Sequence, residues 1–145
     1  IGFSVSALFS AQEETGERGA KTAAYKINPD LAIAVDVSFA LTADDSEHKC
    51  GKMGKGVMIG VAPSLNKDLS NQLISLAKEK KIPYQLEIMD GTTGTNSDVI
   101  GVTRGGVRTV TLSIPLKYMH TPVEVVDLKD IESTGKLIAK FLQKG

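Results

Sequence analysis

The chain has no Trp, a single Cys and only four Phe and three Tyr as aromatic residues. One cysteine excludes an internal disulfide and fits a reducing compartment. So few rings leave little with which to build a sugar-stacking cleft. Neither sign of charge predominates: 17 Lys and Arg stand against 17 Asp and Glu. There is no basic stripe, so no nucleic-acid partner is expected. No apolar run approaches the roughly 20 residues that span a bilayer, and no membrane partner is expected. The start lacks the charged region and cleavage site of a secretory leader, and the expected location is cytoplasmic. Met is missing from the first position. The chain opens at Ile1 in a strand-like run, and the expectation is a piece of a longer polypeptide.

What is present suits one folded domain over 1–145, at 41% hydrophobic residues. Strand and helix signals alternate. Phe3–Ala11 reads as an apolar strand and Gly16–Tyr25 as a helix stopped by Asn28-Pro29. Leu31–Val37 is a short apolar run, expected to be buried on both faces. A polar loop over 42–56 leads to a strand at Val57–Val61. Asn66 caps a helix whose Leu69, Leu73, Leu76 and Ala77 share one stripe, and Lys78–Lys81 form its solvated end. Tyr84–Met89 and Val107–Ile114 read as strands, separated by the turn-rich 90–98. Tyr118–Glu124 is an irregular loop. Asp127 caps a last helix with Ile131, Thr134, Ile138, Phe141 and Leu142 on one face. This order predicts an α/β fold with a mostly parallel or mixed central sheet and helices on both sides.

Three chemistry-bearing spots fall at predicted strand ends: Glu13-Glu14, Asp36 and His120. An open α/β sheet places its sites outside the carboxyl ends of its strands. Each spot has a plain reading. Glu13, Glu14 and Glu17 suit the first turn of a helix, Asp36 a turn or cap, and His120 a solvated loop. Taken together, carboxylates and an imidazole at one sheet edge suit Zn²⁺ or a similar divalent ion.

The run Gln12-Glu-Glu-Thr-Gly-Glu-Arg-Gly-Ala20 resembles the QEE-x-G-x-RGA signature of the M42 metallo-aminopeptidases. These are glutamyl or deblocking aminopeptidases, some labelled endoglucanases. Ala34-Val-Asp-Val37, Gly54-Lys-Gly56 and Tyr118-Met-His-Thr-Pro-Val-Glu-Val-Val126 match the family in the same order along the whole chain. The resemblance implies a zinc-peptidase-like three-layer sandwich, incomplete at its N-terminus, that forms the C-terminal half of a catalytic domain. It implies hydrolysis of the N-terminal bond of peptides by a hydroxide held between two divalent ions, Zn or Co, in the full-length parent. Glu13 would be the general base, Glu14 a ligand of one metal, Asp36 of the other, and His120 the partner of Glu14. The family's His-x-Asp motif, its bridging Asp and its inserted dimerisation domain have no match here. At most one ion is therefore expected in this chain, which should be inactive alone, while the parent should be a homo-oligomer.

Some residues depart from the family or resist assignment. Asn96 and Ser97 interrupt a Gly-Thr-Asp pattern, which puts a substrate role for Asp98 in doubt. Lys117 replaces an expected Arg and loses a bidentate fork. The 44–50 segment, with His48 and Cys50, reads as a solvated loop, and Tyr118 and Met119 as packing residues. Two other functions fit parts of the sequence. One is a two-carboxylate glycoside hydrolase using Glu13 and Asp36, and the other a non-catalytic truncated fragment.

Overall fold

A computed structural model describes residues 4–43 and 50–144. The expected loop over 44–49 lies outside them. The elements run α1 (Arg18–Ile27), β1 (Leu31–Phe39), β2 (Val57–Val61), α2 (Lys67–Lys80), β3 (Tyr84–Ile88), α3 (Ser97–Gly101), β4 (Arg108–Lys117), β5 (Val125–Val126) and α4 (Leu128–Leu142).

The sheet order is β1-β4-β2-β3, with β5 added to β4. β1 runs parallel to β4 and β2 parallel to β3, while β2 and β5 are antiparallel to β4, which makes the sheet mixed as expected. Side chains alternate between its faces. On one face, Val57, Ile59, Val110 and Leu112 pack with Leu69, Leu73, Leu76 and Ala77 of α2 and Leu137 of α4. On the other, Ala20 and Ala24 of α1 pack with Ile100 of α3 and Val107, against Ala32. The three layers are thus α1/α3, sheet and α2/α4.

Local chemistry sets the element ends. Asn66 Oδ1 accepts the Leu69 N–H at 2.9 Å and Asp127 accepts the Lys129 N–H at 2.9 Å, so both expected caps form. Lys78, Glu79, Lys80 and Lys81 are exposed, as expected of a solvated helix end. Gly56 sits at φ +94°, and a Cβ there would strike the Pro83 backbone, so only glycine lets the chain pass into β2.

Four expectations are corrected. Residues 4–10 form no strand and are mostly exposed, with Phe9 97% accessible. Their apolar character lacks a ladder neighbour among the described strands, and strand propensity needs one. β1 is not buried on both faces: it ends the sheet order, and Val35, Val37 and Phe39 remain exposed. The turn-rich region ends at Asn96, two residues earlier than expected, where Ser97 and Asp98 open the short α3. Finally, α4 departs from its expected face in its first turn. Thr134 is buried and Ile138 and Phe141 pack on the core as expected, but at the first turn Ile131 is exposed and Asp130 is buried instead, its carboxylate accepting the N–H groups of Gly54 and Gly56, each at 2.7 Å.

Candidate active site

Glu13 and Glu14 leave a turn, not a strand end. Gln12 (φ 61°), Gly16 (φ 102°) and Glu17 (φ 48°) all take positive φ. The Glu13 carbonyl accepts the N–H groups of Gly16 at 3.1 Å and Glu17 at 2.9 Å. The turn is pressed against α1, where the Gly19 N–H donates to the Ala11 carbonyl at 3.0 Å. A Cβ on Gly19 would collide with the Ala11 backbone, which explains the glycine in the Arg-Gly-Ala run. α1 has no acid in its first turn and Glu17 makes no side-chain cap, so these glutamates do not serve the helix.

Glu13, Glu14, Asp36 and His120 line one cleft of about 240 Å³, together with Glu87 and Ser113. The four residues expected at the site therefore meet. Asp36 projects from β1 opposite Ser113 of β4, with its Oδ1 accepting the Val37 N–H at 2.8 Å. His120 sits at φ 62° in the loop after β4, where its N–H donates to Glu124 Oε1 at 2.7 Å. Across the cleft mouth, His120 Nε2 lies 3.2 Å from Glu14 Oε1.

The acids raise one another's proton affinity. Partial burial pushes the Glu13 carboxyl up, and Asp36, Glu14 and Glu17 add to this while His120 opposes it. Burial also lifts Asp36, offset by the Val37 N–H and reinforced by Glu14. Glu87 is raised chiefly by burial, with a further push from Asp36. Hydrogen bonding from the Ser113 and Ser38 hydroxyls pulls Glu87 partly back down.

Carboxylates that raise one another in this way favour a bound cation. Two donors on one tetrahedral Zn²⁺, each at about 2.0–2.2 Å, stand a little over 3 Å apart. The 3.2 Å between Glu14 and His120 matches that spacing. Among the described residues, no three His, Cys, Asp or Glu close on a single point.

Other expectations resolve less favourably. Tyr118 is 54% exposed and does not pack, whereas Met119 lines the cleft. Asp98 is occupied structurally: its oxygens accept the Thr93 N–H at 3.0 Å, the Thr93 hydroxyl at 2.9 Å and the Gly94 N–H at 2.9 Å. Glu87 and Ser113 escaped the sequence reading. Their signal was a lone acid in Tyr84-Gln-Leu-Glu-Ile88 and a lone hydroxyl in Leu112-Ser-Ile114, polar residues in otherwise apolar strands.

The structure is a three-layer α/β sandwich whose cleft is lined by paired glutamates, an aspartate and a histidine. The chain belongs to the M42 glutamyl aminopeptidase family, whose model matches residues 1–137. It is 40% identical over 135 residues to a lysyl aminopeptidase of Pyrococcus furiosus, covering 93% of this chain and 39% of the relative. Its fold matches an aminopeptidase of the archaeon Desulfurococcus kamchatkensis with a TM-score of 0.86 at 36% identity, covering 94% of this chain and 40% of the other. It also matches the TET1 peptidase of Pyrococcus horikoshii, described as assembling into a tetrahedron or a large octahedral shell. There the TM-score is 0.71 at 31% identity, over 92% of this chain and 39% of that one. The chain thus spans about two-fifths of the length of each of these proteins.

Proposed function

We propose that this chain is the C-terminal half of the catalytic domain of a cytoplasmic, metal-dependent aminopeptidase that removes residues from the N-termini of peptides. The observation that carries the reading is the 3.2 Å approach of His120 to Glu14 beside Glu13, within a family-matched chain. Glu14 and His120 would hold one divalent ion, Zn or Co, and Asp36 a second in the full-length protein. When bound, such ions polarise a peptide carbonyl and acidify water.

No side-chain hydrogen bond engages Glu13 among the described residues, which leaves its carboxylate free to take a proton from the attacking water and hand it to the leaving amine. Glu14 is engaged by His120, so two adjacent acids can differ in role. The half-set of ligands makes the chain by itself a holder of at most one ion, inactive alone. By analogy with the TET1 neighbour, the full-length protein would work as a homo-oligomer.

The test uses the full-length protein with Zn²⁺ or Co²⁺ and aminoacyl-p-nitroanilides. Glu13→Gln should lower kcat by about 10²–10⁴-fold, the usual share of a general base, with bound metal unchanged. A Glu13→Gln variant as fast as the parent would overturn the assignment.

A further inference from the structure

The segment between β3 and α3 passes the cleft with its middle untied. At one end the Met89 N–H donates to the Val61 carbonyl at 3.0 Å. At the other the Thr93 N–H donates to the Asp98 oxygens at 3.0 Å. Between these anchors Asp90, Gly91 and Thr92 are exposed and make no hydrogen bond or ion pair with any described residue. The anchors belong to the site, because Met89 and Thr93 both line the cleft and Gly94 and Thr95 continue its wall.

Asp90-Gly91 is the single Asp-Gly step in the chain. Turn geometry is the ordinary reason for such a pair, but the fold does not require glycine here. Gly91 lies outside the left-handed region, and a Cβ built on it meets nothing within 4 Å. Gly94, by contrast, sits at φ +64°. What glycine leaves open at 91 is the approach of its own backbone nitrogen to the preceding side chain. The Asp90 carboxyl carbon is one methylene away from the main chain, so attack by that nitrogen closes a five-membered ring. Ring closure needs a carboxyl that can rotate, an N–H that is not engaged and a backbone that can reach the near-attack geometry. No bond restrains any of the three here. Asp98, in the same segment, is the opposite case. Its oxygens are held by the Thr93 N–H, the Thr93 hydroxyl and the Gly94 N–H, and the β-branched Val99 follows it inside α3.

We propose that Asp90-Gly91 is a site of spontaneous isoaspartate formation, and that the conversion deforms the cleft wall between Met89 and Thr93. The Gly91 nitrogen forms a bond to Asp90 Cγ and gives up its proton. The protonated carboxyl loses its hydroxyl, which leaves with that proton as water. The succinimide so formed takes water back at either carbonyl. Opening at the main-chain carbonyl breaks its bond to the Gly91 nitrogen, leaves the chain running through Cγ and makes the α-carboxylate the new side group. The chain has then gained one methylene, about 1.5 Å of length, between two anchored residues. No oxidant, reductant or cofactor takes part. The chemistry is independent of the aminopeptidase reading.

The experiment incubates the full-length protein in water enriched in heavy oxygen, with Gly91→Ala beside it. The tryptic peptide ending at Arg104 carries both Asp90 and Asp98, and electron-transfer fragmentation separates isoaspartate from aspartate at each. Isoaspartate should accumulate at 90 with heavy oxygen in the same residue, while Asp98 stays unconverted. Gly91→Ala should slow the conversion about tenfold, equivalent to ~1.4 kcal/mol on the barrier. In the converted protein the Thr93 and Gly94 amides should exchange with solvent faster than in fresh protein. Its kcat/KM on an aminoacyl-p-nitroanilide should fall by about tenfold or more, since a 1 Å misplacement in a site can cost about 10²-fold. Gly91→Ala incubated equally long should keep its rate. No isoaspartate at 90, or equal conversion at Asp98, overturns the proposal. So does converted protein whose amide exchange and kcat/KM match those of fresh protein. If fresh wild type cleaves no nitroanilide, the aminopeptidase reading fails, and the peptide map and amide exchange still decide this one.

Discussion

Asp130→Ala removes a carboxylate that the fold buries completely. Its two oxygens accept the N–H groups of Gly54 and Gly56 at 2.7 Å each. They thereby tie the entry to β2 onto the first turn of α4. Charge-assisted hydrogen bonds of this kind contribute about 1.5–3 kcal/mol apiece. Alanine would leave the Gly56 N–H buried without an acceptor, while water can partly reach the Gly54 N–H. The expected loss is therefore ~3–5 kcal/mol. That is a large part of the roughly 5–15 kcal/mol that holds an ordinary domain folded. Asp127→Ala is the matched control, since Asp127 makes an exposed helix cap at 2.9 Å to the Lys129 N–H and should cost about 1 kcal/mol. Urea denaturation of the three proteins, fitted with a common slope, reads both differences. An Asp130→Ala loss no larger than that of Asp127→Ala would refute the reasoning. It would mean that desolvating the carboxylate cancels what its two bonds return.

Two other outcomes bear on the site and on the surface. After stripping and reloading with Zn²⁺, the chain should hold about one ion by elemental mass spectrometry, and Glu14→Ala/His120→Ala should hold none; equal metal in both would remove the pair from the site, and activity that survives a chelator would revive the two-carboxylate glycosidase. Glu79 is held down at about 2, first by the Lys144 hydrogen bond at 2.7 Å and then by Lys80 at 2.8 Å. A lowered carboxyl stabilises the fold above its ordinary 4.5 and loses that contribution as the pH falls toward about 2. The melting-temperature gap between wild type and Glu79→Gln should therefore be small at neutral pH because the pair is exposed, and should close on acidification; a gap that widens in acid would contradict the sign.

Residues with one dominant local cause were legible in the sequence. Asn66 and Asp127 announce helix starts because a side-chain oxygen two or three residues ahead of an N–H is a purely local bond. Leu69, Leu73, Leu76 and Ala77 announce a buried stripe because the helical period alone aligns them. The Glu13-Glu14 pair, Asp36 and His120 were legible through their motif, and the cleft brings all four together. Neither a strand end nor a helix's first turn accounts for the glutamates, however. They diverge from a turn built on positive φ at Gln12, Gly16 and Glu17, and that turn needs the Gly19–Ala11 contact to form.

What escaped the sequence depends on elements far apart in the chain. Asp130 looks like an ordinary acid in a helix's first turn, and only the return of Gly54 and Gly56 to its oxygens, 76 and 74 residues away, makes it interior. Glu87 and Ser113 likewise look like single polar interruptions of two strands. They face one cleft because β3 and β4 flank β2 in the sheet order and because Glu87 pairs with Gly60, which carries no side chain to screen it. Sheet order is a long-range property that residue periodicity does not encode. A motif can therefore name Glu13, Glu14, Asp36 and His120 as lining one cleft, while Glu87 and Ser113 reach the same wall only through strand pairing.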